Sequence, residues 1–299
     1  MINVTDLSKK FDNVNVLENL NCHIKRGSIY GIIGSNGAGK STLLNVLSGV
    51  YKPDGGEAYI LDEQIFENPS VKAKTAYIGD DPYYLPSATT EEMAKILSDT
   101  YESFTMKKFY EVAALFPIDI KKRINTFSKG MKRQVAIILA LSQNPQILLC
   151  DESFDGLDPV IRQLVKRILV SEVEERGLTV IISSHNLREM ENLCDTVAIL
   201  HDNKIILERS VDEIKDSLHH VQLAFKPMIG MEKLSGIDIL SSKVRGNMME
   251  IVARGEWEDI QGKLERLSPL IVDRLDISLE DIFIYEMEVK GYDFAKILL

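Results

Sequence analysis

The 299-residue chain lacks any hydrophobic run long enough to cross a bilayer. A span needs about 18 to 20 apolar residues. The longest run here, around Val135 to Leu141, ends within about two helical turns and reads as a buried helix. The N-terminal MINVTDLSKKFDN is polar and lacks the apolar core of a secretory signal, so the protein is expected to stay where it is made. Cysteine is scarce. Cys22, Cys150 and Cys194 have neither paired nor metal-ligand spacing, which argues against a disulfide scaffold and fits a reducing cytoplasm. Cys150, inside the run ILLC, reads as a core residue. Positive charge is in deficit: 35 basic against 45 acidic residues leave a net charge of −10, which disfavours broad contact with a phosphate backbone. Nucleic acid is therefore not an expected partner. Repeats and low-complexity tracts are absent. His219 and His220 have no carboxylate or thiol in register and are expected at a solvated boundary, not on a metal.

What is present is an alternation of strand and helix. SIYGIIG (28–34) reads as a buried strand feeding a glycine loop, and GKSTLLNVLSG (39–49) as a helix stopped by Gly49. QILLCD (146–151) and TVIISSH (179–185) are further apolar strands, with a helical stretch over 160–176 between them. Strand, helix, strand implies a parallel sheet covered on both faces. Residues 87–142 are mostly helical by pattern. After Asp216 the texture changes: VQLAF, IDILSS, MMEIVA and LIVDRL read as strands and EWEDIQGKLERL as an amphipathic helix. The expected architecture is an α/β domain over 1–215, carrying a helical subdomain near 87–142, and a small α+β domain over 216–299 built on a split βαβ unit.

Three groups of residues carry chemistry. Gly34 to Thr42 match GxxxxGK[ST] between a strand and a helix. In such a loop Ser35, Asn36, Gly37, Ala38 and Gly39 wrap backbone N–H groups around phosphate, and the helix N-terminus adds partial positive charge. Lys40 supplies a full charge to the β- and γ-phosphates, and Ser41, followed by Thr42, offers a hydroxyl to Mg²⁺. The second group ends the apolar strand at Cys150: Asp151 and Glu152 are adjacent, and strand alternation points them to opposite sides. Asp151 is placed to hold Mg²⁺ and Glu152 to polarise an attacking water. The third is His185, at the end of the next strand, where ligands of open α/β sheets bind. A phosphate loop alone says only that nucleotide phosphates bind.

Phe127-Ser128-Lys129-Gly130-Met131-Lys132-Arg133-Gln134 resembles the LSGGQ-type signature of the ABC ATPase family, and the resemblance runs over nearly all of residues 1–215. It implies a P-loop NTPase fold with a mainly parallel core sheet and antiparallel β and helical subdomains. It implies ATP as substrate, Mg²⁺ as cofactor, and two ATP molecules sandwiched between two subunits, with Ser128 and Gly130 facing the partner's phosphate. Phe11 corresponds to the aromatic that stacks on adenine, Asp158 to the aspartate that contacts the opposite subunit, and His185 to the switch histidine. Three positions depart from the family pattern: Asp80 stands where Gln or Glu is usual and would reach Mg²⁺ through water, Ser153 where proline is usual, and Lys129 where glycine is usual.

The variant SKGMKRQ and the ending SLEDIF resemble single-cassette ATPases paired with exporter-type permeases for antibiotics, peptides, lipids or polysaccharides. That implies a membrane permease partner, contacted by the segment Pro82 to Met93 with Tyr83 and Tyr84. It also implies a second ATPase, identical or related, and a cytoplasmic location peripheral to the inner face of the cell membrane. Three alternatives stand beside it. A soluble ABC protein of ribosomes or DNA fits less well, because the chain has one phosphate loop and only about 90 residues, without sustained heptads, before the signature. An importer ATPase and a weakly hydrolysing regulatory module also remain open.

Overall fold

The computed structural model describes residues 2–289, with side chains to Tyr285. In chain order the strands and helices are β1 (Ile2–Phe11), β2 (Val14–Ile24), β3 (Ile29–Ile33), α1 (Lys40–Leu47), β4 (Gly55–Ile60), β5 (Glu63–Gln64), α2 (Pro69–Lys74) and β6 (Thr75–Ile78). There follow α3 (Thr90–Thr100), α4 (Met106–Ala113), α5 (Lys129–Ser142), β7 (Ile147–Asp151), α6 (Pro159–Arg176), β8 (Thr179–Ser184), α7 (Leu187–Glu191), β9 (Thr196–His201) and β10 (Lys204–Ser210). The chain ends with α8 (Val211–Ser217), β11 (Leu218–Ala224), β12 (Asp238–Arg245), β13 (Met248–Arg254), α9 (Trp257–Glu265), β14 (Ile271–Leu275) and α10 (Leu279–Val289). Packing divides the described residues into two units, one running to His185 and joined by Leu193–Glu208, the other made of Asn186–Asn192 and the residues from Arg209 onward. The division falls at Glu208, not at residue 215, because α8 buries Val211 and Ile214 among the elements of the second unit.

In the first unit, six strands run in the order β10-β9-β3-β8-β7-β6, and β9, β3, β8, β7 and β6 are mutually parallel. Every residue of β3, β7 and β8 is buried, which is why these strands read as unbroken apolar runs and not as alternating ones. A separate antiparallel sheet has the order β2-β1-β4-β5. Helix α1 joins the two: its Leu43, Leu44, Val46 and Leu47 share one apolar cluster with Leu20 of β2 and Leu149 of β7. The phosphate loop before α1 is therefore anchored from both sheets. Local signals set the helix ends. Gly49, at φ +72°, follows the cap of α1. Thr89 and Glu92 form a reciprocal capping box on α3, worth about 1 kcal/mol. Asp158 caps α6, with Pro159 at its first turn and Gly177 left-handed at its end.

The second unit carries a sheet in the order β12-β13-β11-β14. β11 pairs antiparallel with both β13 and β14 and lies between them. β13, α9 and β14 thus form a βαβ unit split by β11, the arrangement expected from the sequence. Val221, Leu223, Met249 and Ile251 pack beneath Ile260 and Leu264 of α9. His219 corrects the expectation of a solvated boundary. It is buried on that face of β11, edge-on to Trp257 at 5.4 Å, and its Nε2 lies 2.8 Å from the Gly255 carbonyl. Its neighbour His220, half-buried on the other face, is 4.0 Å from Glu250.

Candidate functional site

The site gathers where β3, β7 and β8 end. Lys40 opens α1 and is buried; its Nζ donates to the carbonyls of Gly34 at 2.7 Å and Ser35 at 3.0 Å. The loop between them closes on itself, Ala38 N–H donating to Ser35 O at 3.2 Å, while Asn36, Gly37 and Ser41 are exposed. Gly39 sits at φ +105°, and a Cβ there would lie 2.8 Å from the Val16 carbonyl, so the turn into α1 admits only glycine.

Asp151 is buried at the end of β7. Ser183, its neighbour in the parallel ladder, donates from Oγ to Asp151 Oδ1 at 2.6 Å and accepts from the Glu152 N–H at 3.0 Å. The Tyr77 hydroxyl approaches Asp151 Oδ2 at 3.4 Å; burial, then the Asp151 charge, push that phenol well above its ordinary range. Glu152 lies one residue past the strand, at φ +46°. Strand alternation therefore does not separate the two carboxylates, as the sequence suggested; a left-handed residue does, at a position where a non-glycine is uncommon. The turn sets the Glu152 carboxylate between the Lys40 ammonium and the His185 ring: Oε1 is 3.1 Å from Lys40 Nζ and Oε2 is 3.0 Å from His185 Nδ1. Asp155 stands 4.0 Å beyond His185. Lys40, Glu152 and His185, taken from three distant segments, thus meet at one point, while Asp151 faces Ser183 beside them.

The other expected residues lie apart from this cluster. Phe11 is partly exposed and edge-on to Tyr51 at 5.3 Å, with Lys9 Nζ 5.3 Å from its ring centroid. Ser128 caps α5, accepting from the Met131 N–H. Gly130 presses on the turn after Glu152, where a Cβ would come 2.5 Å from the Gly156 carbonyl. Asp158 uses Oδ1 to accept from Val160 and Ile161 N–H. The Asp80 carboxylate pairs with Arg133 at 2.6 Å. Tyr83 and Tyr84 separate: Tyr83 is 78% exposed, whereas Tyr84 donates to the Lys132 carbonyl of α5 at 2.6 Å. Sequence reasoning missed Ser183, Tyr77, Tyr51 and Arg133. Ser183 lay in plain view in the SSH run, but its role depends on strand register, which no local pattern encodes.

Comparison with known proteins decides the family. The ABC transporter family model matches residues 17–155. The bacitracin transport ATP-binding protein BcrA of Bacillus licheniformis is 34% identical over 220 residues, 72% of this chain and 71% of that protein. The chain belongs to the ABC transporter family. As in that family, it is an ATP-binding and ATP-hydrolysing transporter subunit with a P-loop NTPase fold. The ABC transporter ATP-binding protein YtrB of Bacillus subtilis is 29% identical over 286 residues, 95% of this chain and 97% of that one, so its likeness extends through the second unit. Among solved structures, the ATP-binding cassette MJ0796, described as dimeric and post-hydrolysis with ADP and Pi, superposes with a TM-score of 0.64 at 25% identity, covering 71% of this chain and 99% of that one. Among the described residues of this ABC ATPase, no helix is long and apolar enough to cross a membrane.

Proposed function

We propose that this ABC ATPase drives export through a separate membrane permease, as one of two cassettes that close around ATP. The observation that carries the catalytic reading is Glu152, held by Lys40 and His185 at the mouth of the phosphate loop. Glu152 is the base that orients water for attack on the γ-phosphate. Lys40, released from the Gly34 and Ser35 carbonyls, neutralises phosphate charge, and His185 donates to the γ-phosphate or to its product. Exposed Phe11 offers a face to adenine. Mg²⁺ suits the hard oxygen donors at hand, the Ser41 hydroxyl and the Asp151 carboxylate, one of whose oxygens is met only by the long Tyr77 contact. When bound, the ion neutralises charge on the β- and γ-phosphates. Ser183 holds Asp151 in orientation through its Oγ–H donation, and its bond to the Glu152 N–H fixes the turn that aims the base. Catalysis is then mostly positioning and electrostatics.

Coupling falls to a groove of about 370 Å³ in the first unit, lined by Val50, Tyr77, Pro82, Tyr83, Leu97 and Leu139. Exposed Tyr83 and Val50 on an acidic protein suit an apolar cytoplasmic element of a permease, which would hold the chain at the inner face of the membrane. The export direction is supported by the signature variant and by the likeness to the bacitracin transport protein. The test is Glu152→Gln, which keeps the shape and removes the base. ATP-dependent dimers should accumulate while turnover is lost. Undiminished hydrolysis would sink the assignment. A second arm mixes Lys40→Ala with a signature variant: one competent site per heterodimer is expected if the sites are shared.

A further inference from the structure

Arg133 is the largest fully buried side chain among the described residues, 1% exposed, yet it is charged and stands in the signature helix one turn after Lys129. A buried guanidinium needs a counter-ion and hydrogen-bond acceptors for its five N–H groups. Its strongest contact is Asp80 Oδ1, 2.6 Å from NH2. NH1 has only two longer bonds, 3.3 Å to the Gly79 carbonyl and 3.5 Å to the Asp151 carbonyl, and Nε has no partner among the described residues. The set is therefore already short of acceptors. Removing Asp80 leaves a desolvated cation on two stretched carbonyl contacts. Moving the Asp80 carboxylate to another cation has the same consequence.

The placement matters as much as the charge. One guanidinium touches three segments that the reaction needs in register: the helix carrying Ser128 and Gly130, the segment after β6 that leads into Tyr83, and the end of β7 that carries Asp151. We propose that Arg133 is the positioning residue that locks the signature helix to the catalytic strand end, and that Asp80 is its committed counter-ion and not a magnesium ligand. This rests on the ATPase reading above and deepens it. The departure at position 80 then has a physical cause: its carboxylate answers the buried arginine at 133.

The experiment uses the full chain with Asp80→Asn, alone and combined with Arg133→Gln. Without nucleotide, Asp80→Asn should lower the melting temperature by about 4–8 °C and speed amide exchange at Gly79 and over 129–133. With ATP, turnover should fall about 5- to 20-fold while the Mg²⁺ concentration for half-maximal rate stays within about two-fold, since a positioning defect lowers kcat and not metal affinity. Removing both charges in the double variant should recover most of the melting temperature and rate, because no uncompensated cation remains. The proposal is overturned if Asp80→Asn leaves melting and exchange unchanged. It is equally overturned if that variant raises the Mg²⁺ requirement tenfold with no rescue by Arg133→Gln. Melting and exchange need no nucleotide, so they judge the ion pair separately; an unaltered chain without ATPase activity would count against the preceding reading instead.

Discussion

The two units solve the same problem, burying a sheet, in opposite ways. In the first, β3, β7 and β8 are buried along their whole length, and their polar residues are concentrated at the ends: Ser183, Asp151, Glu152 and His185 all follow apolar runs. In the second, β11 to β14 are antiparallel and keep polar and apolar residues mixed along their length. Function follows burial. A strand that cannot be polar along its body pushes its chemistry to one edge, where several strands deliver it together. The second unit has no such edge, and among its described residues no group comparable to Lys40, Glu152 and His185 converges. The match to the bacitracin transport protein covers 72% of the chain and that to YtrB 95%.

The contrast can be tested from the strongest effect to the weakest. Glu152→Gln should cut turnover about 10²- to 10⁴-fold without shifting unfolding of the second unit; steady-state hydrolysis and calorimetry measure the two. Leu223→Ala, in the buried face of β11, should cost the second unit about 2–5 kcal/mol and leave ATP affinity unchanged. An equal loss of ATP affinity would break the comparison. Ser183→Ala should lower turnover about tenfold and raise the Mg²⁺ requirement, since one hydrogen bond to a charged group is worth about 1.5–3 kcal/mol; Ser183→Thr should restore much of both. The smallest effect is in pH. Burial holds the His219 pKa below its ordinary value of about 6.5. The unfolded chain then binds more protons below that pH, so the second unit is at full stability above about 6.5 and weakens as pH falls, by at most about 1.4 kcal/mol per unit. His219→Phe should flatten that slope in urea unfolding, and an unchanged slope would place the titration elsewhere.

Much of this was legible beforehand, for reasons that differ by residue. The phosphate loop, the helix after it and the split βαβ unit came from local signals: glycine spacing, helix stops and strand period. Glu152 was identified for an incomplete reason, because its aim comes from a left-handed residue and not from alternation. His219 was misjudged because one histidine of an adjacent pair reads as surface until its strand is given a face. The roles of Ser183 and Arg133 stayed hidden for a common cause: each acts on a segment far away in sequence, through strand register in one case and helix-to-strand packing in the other.

The close approach of Gly130 to the Gly156 carbonyl changes how the proposed shared nucleotide site is to be dissected. Any side chain at 130 strikes the chain's own turn before it meets anything on another subunit. A dead Gly130→Asp variant would thus report a displaced turn in cis as readily as a lost phosphate contact in trans, and complementation tests built on it would misassign the defect. Lys129, exposed and one residue earlier on the same helix end, carries no such constraint. It is the position from which the proposed shared site can be interrogated without disturbing the subunit that does the asking.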